Sequence, residues 1–225
     1  MNALALELVP LGIGSALIPL PLIVTVLLLR GSAGRAAAIG WVAGQAAARA
    51  VQGLLVALLL ERAAGTAGDG GKGPVVSAVL LVLAILFYVL AARKALKAPD
   101  DDAPPPRWMD SLASATPGRA FALGCGFMAI SVKFWVFTLG ATSAIAYADL
   151  AFTEAAAVYG LWILIALSIQ LALVVLALAV PARADAALAR VGDLLERYSG
   201  PLLIVVGLLF GTIFLLEGLT GLGVI

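Results

Sequence analysis

Six stretches of this chain are long and apolar enough to cross a lipid bilayer, which leaves little room for any other kind of fold. They cover residues 3–29, 36–60, 75–96, 119–146, 153–180 and 201–222. A membrane-spanning helix needs about 20 mostly apolar residues, and each stretch reaches that length. Composition agrees, with 63% of residues hydrophobic and only 12% charged, against about 25% charged in an average soluble chain. The expected fold class is an all-α integral membrane protein with six transmembrane helices. The fourth stretch is long enough to be tilted or broken. The N-terminal segment has no basic region, and its apolar run outlasts a signal peptide, so it reads as a retained first span.

Basic residues fix the orientation. With the N-terminus outside, the inner loops and span edges hold Arg30, Arg35, Arg93, Lys94, Lys97, Arg107, Arg119, Arg183, Arg190 and Arg197, while the outer connections hold Arg62 and Lys72. Positive charge concentrates on the cytoplasmic side, so both termini face outward. The expected organisation is a single membrane domain, 1–225. A first three-helix repeat at 1–96 and a second at 119–225 are joined by a cytoplasmic hinge loop at 97–118. The hinge carries Asp100 to Asp102 and Pro104 to Pro106 and reads as solvated and extended. The 65–74 loop is Gly-rich and short. Residues 182–199 place Leu188, Val191, Leu195 and Tyr198 at helical spacing among charges. That pattern fits an interfacial amphipathic helix, or a helical extension of the sixth span.

Two cations sit where the bilayer centre should be. Arg49 lies within the second span and Lys133 within the fourth, and such a charge costs roughly 2.5–3.5 kcal/mol even on lenient insertion scales. No Asp or Glu lies in the central part of any span, since Glu7, Glu154 and Glu217 fall near outer ends. The missing negative charge is therefore expected from outside. Gln45, Arg49 and Gln52 share one helical face, one turn after Trp41. By helical rise, Arg49 and Lys133 lie roughly 20 Å from the cytoplasmic ends of their spans. Gln170 in the fifth span lies at about 15 Å, and Pro19 and Pro21 in the first reach a similar level. Gln45 and Gln52 fit a substrate site or interhelical glue equally. The two prolines fit an unwound hinge beside a wet cavity or a plain kink.

Gly40 with Gly44, and Gly207 with Gly211, are Gly-x-x-x-Gly pairs that permit close helix approach. Three spans, a hinge and three spans give halves of opposite topology, a design common among secondary transporters. The offset that superposes Gly12/Gly14 on Gly124/Gly126 brings Pro19 onto Ser131 and Pro21 onto Lys133. The lone Cys125 cannot form an internal disulfide and reads as a small packing residue, and the absence of histidine removes imidazole chemistry. No metal site, cofactor or nucleic-acid surface is indicated, and an enzyme is not expected.

With these residues in view, the chain resembles the GAP family of peptidoglycolipid-addressing and sulfolipid-addressing proteins, placed in the lysine-exporter superfamily. The likeness runs over almost the whole length. Its most specific stretches are Ala103-Pro-Pro-Pro-Arg-Trp-Met109 and Ile130-Ser-Val-Lys-Phe-Trp-Val-Phe-Thr-Leu-Gly-Ala141. Pro19-Leu20-Pro21 and Leu194-Leu-Glu-Arg-Tyr-Ser-Gly-Pro201 add to it. The second stretch is similar to the family's Asn-Pro-Lys or Ser-Pro-Lys motif, with Lys133 at the lysine and Ser131 at the polar first position. Val132 stands where the motif has proline, so the motif no longer dictates a break in the fourth span. The resemblance implies an export role, for lipids or lipid-like cargo, in the cytoplasmic (inner) membrane of a bacterium.

The reading reached from sequence is a transporter that moves an anionic lipid or glycolipid through a cationic mid-membrane site. Lys133, Arg49, Ser131, Gln45, Gln52 and Gln170 would bind substrate, with Pro19 and Pro21 as hinge or unwound helix. A small-solute exporter, of an anion or an amino acid, is the first alternative. A non-transporting accessory subunit of a larger lipid-export system is the second. Expected partners are membrane lipids, an anionic lipid or small anion, and further copies of the chain or larger export machinery.

Overall fold

The computed structural model describes residues 2–32, 34–64, 74–96, 114–179 and 181–224. Among them there are helices and no strand: α1 (Asn2–Ala16), α2 (Pro19–Arg30), α3 (Gly34–Ala64), α4 (Pro74–Leu96), α5 (Pro117–Ile130), α6 (Val132–Tyr147), α7 (Phe152–Ala166), α8 (Ser168–Ala179) and α9 (Pro181–Gly221). Two helices hold an unbroken apolar window of spanning length, Gly34–Leu59 and Ile204–Gly221. Three helix pairs reach that length together across a sharp bend, giving up to five spans. The bends are 53° between α1 and α2, 75° between α5 and α6, and 63° between α7 and α8. The protein is therefore a helical membrane protein in which the first, fourth and fifth apolar stretches are each broken in two. The loop at 65–73 and the hinge up to residue 113 lie outside the described residues.

The three breaks have different causes. At the first, Ile18 precedes Pro19, and prolines occupy the first and third positions of α2. Proline suits a helix start because its missing N–H would be unpaired there anyway. At the second break there is no proline. Ser131 turns to φ −80°, ψ 100°, which releases the carbonyls of Met128, Ala129 and Ile130 from the amides four residues on, the Phe134 amide bonding to Ser131 O instead. Gln52 Nε2 of α3 donates to the Met128 carbonyl at 2.9 Å. Trp135 Nε1 donates to the Ala129 carbonyl at 2.8 Å. Side chains thus satisfy two of the three carbonyls that the break leaves open, as an apolar medium favours. The third break, at Leu167 (φ −105°, ψ 2°), has neither glycine nor proline within two residues. Its Leu167 amide still reaches Ile163 O, and Leu171 reaches Leu167 O.

The chain forms two compact units, Met1–Ala57 with Asp102–Tyr198, and Leu58–Asp101 with Ser199–Ile225. They cut across the expected halves, because each half contributes most of two apolar stretches to the first unit and one to the second. In the first unit α1 packs on α6 and α7, and α2 on α8, where Leu22, Val26, Leu173 and Ala177 form a buried cluster. Helices α3 and α5 meet backbone to backbone. A Cβ on Gly44 would collide with the Phe121 carbonyl, and one on Gly124 with the Trp41 carbonyl. The Cys125 thiol lies 3.2 Å from the Gly44 carbonyl oxygen, filling the same close contact.

In the second unit α4 and the C-terminal part of α9 run antiparallel. Gly207 faces Ala91, Gly211 faces Tyr88 and Gly218 faces Leu81. Phe87, Phe210 and Phe214 are mutually in contact there, and Tyr88 and Thr212 share a hydroxyl–hydroxyl hydrogen bond of 2.8 Å. Residues 182–199 do not form a separate helix. They run unbroken into the apolar part of α9, with Pro201 inside the helix. Pro201 is the first residue of the stretch read as the sixth span, so the helical extension is what the chain adopts.

Candidate cation-lined site

Arg49 projects from α3 into the first unit and is 1% exposed. Its Nη2 donates to the Ser15 hydroxyl at 2.6 Å, two residues before the first break. The guanidinium carbon lies 5.1 Å from the Phe134 ring centroid and 5.3 Å from that of Trp162. Nε and Nη1 have no hydrogen-bond partner. No Asp or Glu is among the buried described residues.

Magnitudes show that this shell does not balance the charge. Burying an ion costs several kcal/mol even after relaxation. A hydrogen bond from a charged group returns about 1.5–3 kcal/mol, and each cation–π contact about 0.5–2 kcal/mol. Two N–H-bearing nitrogens remain unspent on any acceptor, so the environment is short of negative charge.

Lys133 is the second residue of α6, just past the break. Its Nζ lies 5.8 Å from the centroid of the same Phe134 ring that Arg49 contacts. It is only partly buried, unlike Arg49. One aromatic ring therefore has both cations beside it, Arg49 sealed and Lys133 partly exposed. Position near the start of α6 adds the Lys133 charge to the positive end of that helix. Ser131 is the break residue itself, and its carbonyl accepts from Phe134 N at 3.0 Å.

The remaining expected site residues fall into two groups. Gln45 and Gln170 pair their amides, Gln45 Nε2 to Gln170 Oε1 at 2.7 Å and Gln170 Nε2 to Gln45 Oε1 at 3.2 Å. Trp41 Nε1 also donates to Gln170 Oε1, at 3.2 Å. The Thr25 hydroxyl lies 3.0 Å from that oxygen and 2.8 Å from the Pro21 carbonyl. This is a closed network tying α2, α3 and α8 together, and Pro21 joins it through its carbonyl while Pro19 opens α2. Gln52 caps Met128 O, and its Oε1 accepts from Thr138 at 3.5 Å. The glutamines thus spend their amides inside the protein, whereas Arg49 does not.

Sequence reasoning missed Ser15, Phe134, Tyr159 and Trp162. Tyr159 donates its hydroxyl to the Arg49 carbonyl at 2.8 Å and stacks on Trp162, with centroids 5.4 Å apart and planes 22° apart. Aromatic residues in apolar spans carry no pattern that separates a cation's neighbour from a lipid-facing ring. Among the described residues no cluster of metal-ligating side chains occurs.

The family comparison bears on this arrangement. The model of the family described as "Sap, sulfolipid-1-addressing protein" matches residues 8–220. The chain belongs to that family. The match spans α1 through nearly all of α9 and so takes in Arg49, Lys133 and all three breaks. No curated protein and no solved structure matches the chain.

Proposed function

We propose that the protein moves an anionic lipid or glycolipid across the cytoplasmic membrane of a bacterium, using Arg49 and Lys133 as its cationic site. The observation that carries this reading is Arg49, sealed from solvent, without a carboxylate partner and with two nitrogens lacking an acceptor. The family description supplies the lipid, since it names a sulfolipid. On this reading α4 is the third span and α9 supplies the sixth, with both termini outside and two inverted three-helix halves. The offset between the Gly-x-Gly pairs supports the inversion. It brings Pro19, which opens α2, onto Ser131, which precedes α6. A broken helix at matching places in two halves is a recurrent way to build a cargo site.

A cationic cargo finds nothing to neutralise it here, so an amino acid exported through its ammonium group is disfavoured. Lys133 is partly exposed and Arg49 sealed, and both lie beside the Phe134 ring. The test is movement of headgroup-labelled phosphatidylglycerol between leaflets of vesicles holding only the purified protein. Protein-dependent movement, absent for labelled phosphatidylcholine, is the expected result. No movement of either lipid would demote the chain to an accessory of larger export machinery.

A further inference from the structure

The polar face of α3 reaches all three broken spans, one residue to each. Arg49 Nη2 donates to the Ser15 hydroxyl at 2.6 Å, and Ser15 is the last residue but one of α1. Gln52 Nε2 donates to the Met128 carbonyl at 2.9 Å, three residues before the break at Ser131. Gln45 Nε2 donates to Gln170 Oε1 at 2.7 Å, three residues beyond the break at Leu167. All of these residues belong to the first compact unit. The ties differ in kind. The two glutamine ties join neutral groups, whereas the Arg49 tie draws its strength from a full charge, which roughly doubles it. A bound anion therefore acts on one tie of the three.

The span held by that tie is also the one whose backbone is held most loosely at its break. Pro19 and Pro21 bring no N–H to it, and the Ile18 amide reaches Ser15 O at 3.4 Å. The break residues of the other two spans reach back more closely, Ser131 to Phe127 O at 3.2 Å and Leu167 to Ile163 O at 3.0 Å. The two half-helices of the first span pack on different neighbours, α1 on α6 and α7 and α2 on α8. Thr25 of α2 lies 3.0 Å from Gln170 Oε1, so α2 is joined to α3 through the Gln45–Gln170 pair, without Arg49. We propose that Arg49 couples anion binding to the bend between α1 and α2, with Ser15 as the positioning residue through which it acts. This rests on reading Arg49 as part of the cargo site. An anion that neutralises the guanidinium leaves the Ser15 bond no stronger than one between neutral groups, on whichever edge of the guanidinium it sits. The end of α1 is then released while α2 stays tied. A ligand shifts such an equilibrium only by its differential affinity for the two states, and here the difference is the charge that Ser15 gives up.

The experiment follows the bend with paired spin labels in the full-length protein, carrying Cys125→Ala, in neutral detergent. One pair, Leu6→Cys with Arg30→Cys, stands on exposed positions of α1 and α2. The other, Leu123→Cys with Ala146→Cys, stands on exposed positions of α5 and α6. Short-chain phosphatidylglycerol is the ligand, its binding read by calorimetry, and short-chain phosphatidylcholine is the control. Saturating phosphatidylglycerol should shift the first pair's distance distribution and leave the second pair's unchanged, and phosphatidylcholine should shift neither. In Ser15→Ala the ligand-free distribution of the first pair should already match that of the liganded parent. Phosphatidylglycerol should bind that variant about 5-fold more tightly, because the Ser15 bond no longer competes. A purely structural role for Ser15 predicts weaker binding instead. Ser15→Thr keeps a hydroxyl and should restore the ligand-dependent shift. The parent's own shift tests the inference even where the Ser15 variants fold poorly. Phosphatidylglycerol that binds without moving the first pair, or that moves both pairs alike, overturns the inference and leaves the anionic-cargo reading standing. Binding to a folded Ser15→Ala protein that is no tighter than to the parent does the same. Phosphatidylglycerol that fails to bind removes both.

Discussion

Gln52 donates to the Met128 carbonyl, one of three carbonyls that the break before α6 releases, and it does so from a neighbouring helix. Gln52→Leu removes the donor and keeps the volume, so it should destabilise the protein by about 1–3 kcal/mol, the cost of an unpaired buried carbonyl. Chemical denaturation in detergent measures this, and an unchanged midpoint would show that another group takes over. At this scale the sequence was legible where charge or amide groups interrupt apolar runs. Arg49, Gln45, Gln52 and Gln170 all stand out in that way, and all four are buried. What separates the glutamines from Arg49 is whether their polar atoms are used, and that depends on partners far away along the chain. Gln45 meets Gln170 across 125 positions, and no local pattern announces such a pair. Trp162 was illegible for the same reason, since only its unused N–H marks it.

At the scale of elements, two kinds of interruption behave differently. The break before α2 was visible because proline fixes it locally. The break before α6 was not, because Val132 replaces the motif proline and two of the released carbonyls are satisfied by Gln52 and Trp135. The geometry nonetheless remains ready for proline. Val132 is the first residue of α6 and is exposed, and Ser131 holds an extended conformation, as a residue before proline prefers. Val132→Pro should therefore leave stability unchanged or raise it by about 0.4–1 kcal/mol, read as the thermal midpoint. A large loss would mean that the Val132 amide is needed. The bend at Leu167 has no such local signal, and tertiary contacts of α7 on α1 and α8 on α2 accompany it. Close approach of α3 to α5 was legible in Gly40 and Gly44. Gly44→Val places a side chain against the Phe121 carbonyl and should cost at least 1–3 kcal/mol, as overpacking does. Retained stability would show that the two helices can part without loss.

At the scale of the whole molecule, apolar stretch length gave the helical membrane class, and the structure adds that three stretches are bent pairs. The two compact units were not readable from chain order. Each takes segments from both halves, and which segments pack together is decided by surfaces such as the α4–α9 glycine face. We propose that Arg49 and Lys133 together carry an anionic lipid. The most direct measurement is the rate at which labelled phosphatidylglycerol crosses vesicles reconstituted with wild-type, Arg49→Gln or Lys133→Gln protein at equal folded amounts. Loss of a buried charge–ligand interaction of 2–5 kcal/mol predicts a fall of at least about 10-fold for Arg49→Gln. A smaller fall is predicted for Lys133→Gln, restored by Lys133→Arg. Wild-type rates in both glutamine variants would contradict the claim.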